Sequence, residues 1–199
     1  MNDATNTTLE FYNKNTQNFI SDTVSCDMSE NQNEFISLLP PHASILDFGC
    51  GSGRDSKAFL DKGFVVDASD GCEAFCKAAS EFTGLKVKHL LFTQLCEKEK
   101  YDGVWACSSI LHAPKTELSI IFSKIHTALK DKGYLYTSFK YGTFEGLRNG
   151  RYFTDMTEES LKSFLSPLNL FDITKLWITG DVRKGRESEK WLNIILQKL

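Results

Sequence analysis

Three glycines at alternate positions follow a short apolar run, and their spacing indicates a ligand-binding turn. The run Ile45-Leu46-Asp47-Phe48 continues as GCGSG, which places glycines at positions 49, 51 and 53. A strand that enters a helix through such glycines brings the backbone close to a ligand. A P-loop needs four residues between its glycines followed by Gly-Lys-Ser/Thr, and the dinucleotide fingerprint needs a glycine where Arg54 stands. The spacing therefore favours a site of another kind.

Two acidic residues near this turn indicate a cationic ligand. Asp47 lies two residues before the first glycine, where a carboxylate would repel a pyrophosphate. S-adenosylmethionine carries an ammonium and a sulfonium and no phosphate, so it fits this charge. Asp70 follows Gly49 by 21 residues, which suits a carboxylate that binds a ribose diol. Asp67 is the other candidate, but Asp70 is preferred because it ends the strand; it could also cap the helix that begins at Gly71.

Alternation of two hydrophobic periods along residues 44–139 predicts the elements that would position these residues. Short apolar runs predict strands, and apolar residues three or four apart predict the helices between them. The predicted strands are Ser44–Phe48, Phe64–Ser69, Leu85–Phe92, Tyr101–Cys107 and Tyr134–Phe139, and the predicted helices are Asp55–Lys62, Cys72–Phe82 and Lys115–Leu129. This alternation predicts an α/β fold, a Rossmann-like, mostly parallel sheet with helices on both faces.

The two ends of the chain depart from this alternation. Two helices, Leu9–Ile20 and Glu30–Leu39, are predicted before the first strand and would form a helical lid over residues 1–40. After the fifth strand we expect an irregular stretch, Lys140–Asp155, and a helix from Thr157 to about Phe164. Two final strands, Leu170–Ile178 and Trp191–Leu199, would form an antiparallel hairpin that closes the sheet. We expect one domain of residues 1–199, with a cofactor-binding core at 41–140 and an acceptor-side segment at 141–199.

Composition limits the classes of protein that this chain can belong to. With 199 residues, 41% hydrophobic residues and a net charge of −3, it has the profile of one soluble globular domain. No apolar run approaches the roughly 20 residues of a membrane span, and the N-terminus lacks a signal-peptide pattern. The six cysteines form no CxxC and no His pair has zinc spacing, so no metal is expected. We expect a cytoplasmic protein, and the negative charge makes a nucleic-acid partner unlikely.

The glycine motif and its acids resemble a known superfamily. ILDFGCGSGRD resembles the first motif of class I S-adenosylmethionine-dependent methyltransferases, and KGFVVDASDGCEA resembles their second motif. Five alternating strands and a terminal hairpin match the seven-stranded sheet of that superfamily. Four further segments, YDGVWACSSILHAP, SFKYG, GRYFTDMTEE and GDVRKGRESEKWLN, resemble the small bacterial tellurite-resistance-type (TehB-like) methyltransferases. The resemblance implies an enzyme that uses S-adenosylmethionine as its cofactor.

The resemblance also implies which residues contact that cofactor. Asp47 would orient the methionine ammonium, and Asp70 would hold the ribose hydroxyls. Many relatives place an acid beside adenine, where this chain has Leu91-Phe92-Thr93, so the backbone or Thr93 would make that contact. The predicted cofactor-binding residues are Tyr12, Asp47, Gly49, Gly51, Gly53, Arg54, Asp70, Leu91, Phe92, Ala106 and Cys107.

Candidate acceptor contacts follow the fourth and fifth predicted strands and lie in the terminal hairpin. His112 could act as a general base with a pKa near neutrality, or it could pack structurally at the rim of the sheet. Tyr141 is a second catalytic candidate. Basic and aromatic residues could form a wall for an anionic small molecule, unless they pair with Asp181, Glu187 and Glu189. The predicted substrate-binding residues are Lys140, Arg151, Tyr152, Arg183 and Arg186.

These observations favour a methyltransferase that acts on a small molecule, because little chain lies outside the core sheet to dock a macromolecule. The sequence CSSI replaces the NPPY-type motif that follows the fourth strand in DNA amino-methyltransferases. Methylation of an RNA base or a protein side chain is the alternative within the enzyme class. A protein that binds S-adenosylmethionine without turnover is the alternative outside it. A dinucleotide-dependent oxidoreductase is disfavoured by Asp47 and Arg54.

Overall fold

The computed structural model describes residues 3–199, which form six α-helices and nine β-strands. The first two residues of the predicted 1–40 lid lie outside this range. The helices are α1 (Asp3–Thr23), α2 (Ser29–Ile36), α3 (Arg54–Asp61), α4 (Glu73–Thr83), α5 (Lys115–Ala128) and α6 (Glu158–Leu165). The strands are β1 (Ser44–Phe48), β2 (Val65–Asp70), β3 (Lys88–His89), β4 (Tyr101–Ala106), β5 (Leu129–Lys140), β6 (Glu145–Arg148), β7 (Arg151–Thr154), β8 (Phe171–Gly180) and β9 (Lys190–Lys198).

Seven strands form one sheet in the order β3-β2-β1-β4-β5-β9-β8. Strands β3, β2, β1, β4 and β5 pair in parallel, and β9 pairs antiparallel with both β5 and β8. The predicted fold class, with its terminal antiparallel hairpin, is therefore confirmed. The strand order reverses between β1 and β4, and ligands of open α/β sheets bind beyond the carboxyl ends of the strands at such a point.

Alternating side chains of the central strands build a hydrophobic core on each face of the sheet. In β1, Leu46 and Phe48 pack on the face covered by α5, while Ile45 packs on the opposite face with Phe35 and Phe59. Because both faces are covered, consecutive residues are buried in the two central strands, at positions 45–48 of β1 and 103–106 of β4. A fully buried Trp105 adds to the second face. Two packed cores hold the carboxyl ends of β1, β2 and β4 in fixed positions.

The edge strand β3 is shorter than predicted. The run Leu85–Phe92 predicts eight residues of strand, but only Lys88 and His89 pair with β2. Since β2 ends at Asp70, no partner remains beyond that point, and the chain turns into a 3₁₀ turn at Phe92–Gln94. The residues after β3 are thereby directed across the carboxyl edge of the sheet.

The prediction of an irregular stretch at Lys140–Asp155 is wrong, because β6 and β7 form an antiparallel hairpin there. Its two-residue loop is Asn149-Gly150, and both residues have positive φ angles, 51° and 77°. This is the conformation that Asn-Gly favours in tight hairpins. The hairpin packs beside α1 and extends the molecule above the carboxyl edge of the sheet.

Helix α1 covers that edge as two segments that meet at Asn15, where φ is −117° and ψ is 15°. The Asn15 side chain donates to the carbonyl of Phe11, and the Thr16 hydroxyl donates to the carbonyl of Tyr12. Side chains that bond to the preceding turn compete with the helical hydrogen bonds and bend the helix. Within residues 3–199, no helix is long and apolar enough to cross a membrane.

Candidate functional site

A cavity of about 920 Å³ lies above the carboxyl ends of the parallel strands. Its floor is the glycine loop after β1 together with the ends of β2 and β4. Its walls are α1, the segment Leu90–Gln94, the β6–β7 hairpin and the β8–β9 loop. This volume lies near the upper end of the roughly 300–1,000 Å³ of small-molecule sites. The cavity can therefore hold a cofactor and a second small molecule together.

The glycine loop brings bare backbone to the cavity floor. At Gly49, φ is 87°, and an added Cβ would lie 2.5 Å from the Cβ of Ser109, so only glycine fits. At Gly51, φ is 53°, and an added Cβ would meet only the ring of Phe19, at 3.5 Å. Phe19 also lines the cavity, so a side chain at position 51 would project into ligand space. The loop is thus shaped for close approach of a ligand.

Asp70 at the end of β2 links the glycine loop to the start of α4. One carboxylate oxygen accepts a hydrogen bond from the Gly51 backbone N–H at 2.9 Å, and the other accepts from the Cys72 backbone N–H at 2.8 Å. Burial raises the pKa of Asp70, and these two donors act in the opposite direction. Asp70 lines the cavity, but it does not cap α4, because the helix begins at Glu73 with Cys72 at the N-cap position and Asp70 bonds to the N–H of Cys72 itself.

Asp47, the acid before the glycine loop, is buried and hydrogen-bonded to α3. Its carboxyl accepts a 2.6 Å hydrogen bond from the Ser56 hydroxyl of α3, and it is not a cavity-lining residue. Burial and the nearby charge of Asp55 raise its pKa. The role predicted for Asp47, orientation of the methionine ammonium, stays a prediction.

Arg54 and Asp55, the first residues of α3, form a buried ion pair at the cavity wall. The Arg54 guanidinium donates through Nε and Nη2 to the two Asp55 oxygens, at 3.0 and 2.8 Å. Asp55 also accepts from Gln32 at 2.7 Å and from the Trp105 indole at 2.9 Å. Burial alone would raise the pKa of Asp55, but the charge of Arg54 and the hydrogen-bond donors outweigh burial. The pKa is therefore lower than its ordinary value, and Asp55 is held as a carboxylate. Asp55 therefore fixes the orientation of Arg54.

The segment after β3 and the end of β4 supply the remaining wall of this half of the cavity. Leu91, Phe92 and Thr93 all line the cavity, as the predicted adenine contact requires. Cys107 also lines it, and burial raises the pKa of its thiol to about 12. Its neighbour Ala106 is fully buried in the core below the cavity.

His112 lies in a 3₁₀ turn after β4 and uses both of its ring nitrogens. Nδ1 lies 2.6 Å from the carbonyl oxygen of Tyr152, which can only accept, so Nδ1 carries the proton. Nε2 then accepts from the hydroxyl of Tyr12 at 2.8 Å. Burial lowers the pKa of His112 to about 4, and the charges of Arg151 and Arg148 lower it too. His112 is therefore neutral near pH 7 and fastens α1 to the β6–β7 hairpin.

The predicted basic wall is largely neutralised by acids. Lys140 pairs with Asp181 at 3.1 Å and with Glu189, and its ammonium lies 4.1 Å from the Trp191 ring centroid. Arg183 donates to both oxygens of Asp181, at 2.8 and 2.6 Å. Burial alone would raise the pKa of Asp181, but the hydrogen bonds from Arg183 and the Trp191 indole outweigh burial, so the net pKa is lower than its ordinary value. The predicted alternative, an internal ion-pair network, describes these residues.

The predicted residues divide between the cavity and its surroundings. Tyr141 lies at the rim, where its hydroxyl donates to Glu158 at 2.9 Å, and the Tyr152 hydroxyl donates to Glu145 outside the cavity. The structure brings together at the cavity Tyr12, Gly49, Gly51, Arg54, Asp70, Leu91, Phe92, Cys107, His112, Lys140, Tyr141, Arg151, Arg183 and Arg186. Outside the lining are Asp47, Gly53, Ala106 and Tyr152. Their predicted contacts stay predictions.

Sequence reasoning missed several lining residues. Asp55 was not singled out although it directly follows Arg54, and Phe19 carried no recognisable motif. Arg148 pairs with Asp155, at 2.9 and 3.0 Å, inside the hairpin that was predicted to be irregular. The Asn149-Gly150 dipeptide was the signal that could have found this hairpin. No group of three or more His, Cys, Asp or Glu residues in the described part of the chain is arranged to hold a metal ion.

The central part of the chain matches a known family. Residues 45–133, from β1 into β5, match the family described as the methyltransferase domain. This segment contains the glycine loop, Asp70, the residues after β3 and His112. No curated protein sequence matches the chain.

Solved structures with the same fold cover nearly the whole chain. The 1,6-didemethyltoxoflavin-N1-methyltransferase of Burkholderia thailandensis, solved with 1,6-didemethyltoxoflavin and S-adenosylhomocysteine, is 19% identical, with a TM-score of 0.75 over 96% of this chain and 84% of that chain. The magnesium protoporphyrin IX methyltransferase of Synechocystis, solved with S-adenosylmethionine, is 19% identical, with a TM-score of 0.71 over 100% and 98%. A TehB-like methyltransferase of Corynebacterium glutamicum is 15% identical, with a TM-score of 0.66 over 96% and 98%. At these identities the likeness establishes the fold.

Proposed function

We propose that this chain, whose residues 45–133 match the methyltransferase domain, is an S-adenosylmethionine-dependent methyltransferase that transfers the methyl group to a small molecule bound in the same cavity. The observation that carries this proposal is the size of the cavity, about 920 Å³, combined with walls on several sides. A macromolecular acceptor would need an open docking face, whereas α1 and the β6–β7 hairpin cover this one. The neighbours whose names include small acceptors, a toxoflavin precursor and a magnesium porphyrin, have the same fold.

The residues present fit the cofactor. Bare backbone at Gly51 keeps the floor open, and the carboxylate of Asp70 stands at the edge where a ribose diol would lie. The guanidinium of Arg54, oriented by Asp55, suits the carboxylate of the methionine moiety. Leu91 and Phe92 offer apolar surface to adenine. When bound, S-adenosylmethionine supplies a methyl carbon already activated by its sulfonium.

The chain's own contribution to the reaction is positioning and exclusion of water. Tyr12 and its hydrogen bond to His112 close one side of the cavity, so an acceptor would be held between α1 and the sheet edge. His112 stays neutral, and the Tyr12 hydroxyl occupies its only free lone pair. In this proposal the acceptor gives up any proton to a group other than His112, or reacts in a form that has already lost it, and a catalytic role of His112 stays a prediction. Tyr141, at the exposed rim, remains a proposed contact only.

Transfer of label from methyl-tritiated S-adenosylmethionine tests this proposal. The purified protein is incubated with a cell extract that ultrafiltration has divided into low-mass and high-mass fractions, and Asp70→Asn is the matched control. The proposal expects label in a product of the low-mass fraction and at least tenfold less with the variant. Label in the high-mass fraction, sensitive to nuclease or protease, would instead support an RNA or protein acceptor. Binding without transfer in either fraction would support a non-catalytic S-adenosylmethionine-binding protein.

Two finer predictions go beyond methyl transfer to a small molecule. The likeness to the TehB-like protein supports a test of tellurite and selenite among low-mass acceptors, although no residue of the cavity demands a metalloid. A cytoplasmic location stays a prediction that rests on composition. It would be checked by fractionation of the cells that express the protein.

A further inference from the structure

Arg151 is a partly buried cation in the cavity wall without a carboxylate partner. None of the ion pairs between described residues includes it, and its Nε is buried without a hydrogen-bond partner. Its guanidinium lies 4.7 Å from the Phe11 ring centroid and 5.1 Å from that of Phe153. One terminal nitrogen donates to the Tyr12 hydroxyl at 3.3 Å. Its charge is thus surrounded by aromatic rings and one hydroxyl.

Other cations of the cavity wall have an acidic partner or are exposed to solvent. Arg54 is paired with Asp55, and Arg148 is paired with Asp155. Lys140 and Arg183 share Asp181 in the same way, and Arg186 lies 3.9 Å from Glu189. Lys190 has no ion pair, but it is exposed to solvent. Among the described residues, Arg151 is therefore the partly buried cation of the cavity that lacks an acidic partner.

Burial of the unpaired Arg151 charge favours the binding of an anion beside it. A charge removed from water without a partner raises the free energy of the folded protein. Cation–π contacts with Phe11 and Phe153 recover part of that cost. An anion that entered the cavity would recover more, because a guanidinium and an oxyanion form short, charge-assisted hydrogen bonds. An anion bound beside Arg151 in the cavity would therefore stabilise the folded protein.

The position of Arg151 separates it from the glycine loop. Arg151 packs on Phe11 and donates to the Tyr12 hydroxyl, in the segment of α1 before the bend at Asn15. Gly51 lies beside Phe19, and Arg54 donates to the Thr23 carbonyl at 3.4 Å, both in the segment after that bend. A Cβ added to Gly150, the residue before Arg151, would lie 2.9 Å from the Phe11 ring, so the hairpin tip lies close to this end of α1. An anion at Arg151 would thus lie beyond the loop, in the half of the cavity left for a second molecule.

We propose that Arg151 binds a carboxylate on the methyl acceptor, and that the acceptor is a small organic acid with an apolar or aromatic body. This inference rests on the proposed function and names its substrate class. The apolar body is indicated by Leu9, Ala113, Ile121 and Phe153, which line the same cavity. The structure assigns Arg151 the recognition of the acceptor, while Arg54 serves the cofactor side.

A pair of probes of equal shape and different charge tests the proposal. Benzoate and benzamide are titrated by calorimetry into the protein saturated with S-adenosylhomocysteine. We expect benzoate to bind at least tenfold more tightly than benzamide, and Arg151→Gln to abolish this preference. Arg151→Lys, which keeps the charge and loses the planar fork, should retain a smaller preference. Lys77→Gln, which removes one exposed positive charge on α4, should leave the preference unchanged.

The titration of S-adenosylhomocysteine itself separates the outcomes. Its affinity should stay within twofold of wild type in all three variants. A tenfold loss in Arg151→Gln would overturn the proposal, because Arg151 would then bind the cofactor's own carboxylate. Equal binding of benzoate and benzamide to the wild-type complex would overturn it too. If S-adenosylhomocysteine does not bind wild type at all, the proposed function fails, which is a different result from the failure of the Arg151 assignment.

Discussion

Acidification should loosen the contact between α1 and the β6–β7 hairpin through His112. In the folded protein Nδ1 donates to the Tyr152 carbonyl and Nε2 accepts from Tyr12. A proton added to Nε2 would remove its acceptor and place an imidazolium near Arg151. Burial, with Arg151 and Arg148, accordingly lowers the pKa of His112 from 6.5 to about 4. Because the folded pKa is lower than the unfolded one, stability is fully present above pH 6.5 and is lost as the pH falls towards 4.

The size of this effect follows from the pKa difference. A pKa that falls from 6.5 to about 4 corresponds to roughly 3 kcal/mol of unfolding free energy. Denaturant unfolding would be measured between pH 4 and 7.5 for wild type and His112→Gln. The variant removes the titrating group, so the difference between the two proteins isolates its contribution from those of the carboxylates. Wild type should lose roughly 3 kcal/mol more than the variant over this range.

Two results would refute this reasoning. A difference between wild type and His112→Gln that does not change with pH would mean that His112 titrates alike in both states. A wild type that gains stability relative to the variant on acidification would mean that a charged His112 is favoured in the fold. A direct NMR titration of the His112 ring protons gives an independent value, and a pKa of 6 or higher would restore His112 as a candidate base near neutrality.

Two further predictions address the glycine loop and the cavity thiol. Gly49→Ala should unfold or strongly destabilise the protein in a thermal melt, because the added Cβ would overlap Ser109. Gly51→Ala should lower the free energy of unfolding by only about 1–2 kcal/mol, because of its positive φ, and should weaken S-adenosylhomocysteine binding at least tenfold by calorimetry. A folded Gly49→Ala or an unaffected Gly51→Ala would contradict the loop geometry. Burial raises the pKa of the Cys107 thiol to about 12. Iodoacetamide should therefore alkylate Cys107 far more slowly at pH 8 than the exposed Cys96, as measured by peptide mass spectrometry. Equal rates would show that Cys107 is accessible as a thiolate.

The elements of the sheet were predictable where the sequence is locally consistent. Strand β1 was predicted at its observed bounds, because an apolar run ends in glycines that cannot continue it. The β6–β7 hairpin was missed because its strands are only four residues long and Leu147 is exposed, so no apolar alternation marks them. The Asn149-Gly150 dipeptide is the local signal in the sequence that favours this hairpin.

The composition of the cavity was predictable in part. The glycine loop and Asp70 follow from a local motif, and the structure places them at the cavity floor. The bond between Tyr12 and His112 joins residues 100 positions apart, and no local pattern encodes such a pairing. Charge alone also misleads, because Arg151 and Lys140 look alike in sequence. Only the fold shows that Lys140 has acidic partners, whereas no ion pair between residues 3–199 includes Arg151.

The most direct test of the account is a calorimetric comparison of S-adenosylmethionine, S-adenosylhomocysteine and NAD with wild type and Asp70→Asn. The account predicts one site per chain for the first two ligands, no binding of NAD, and an affinity at least tenfold weaker in a variant that melts as a folded protein. Binding of NAD, or an unchanged affinity in Asp70→Asn, would contradict the assignment of this cavity and of Asp70 within it.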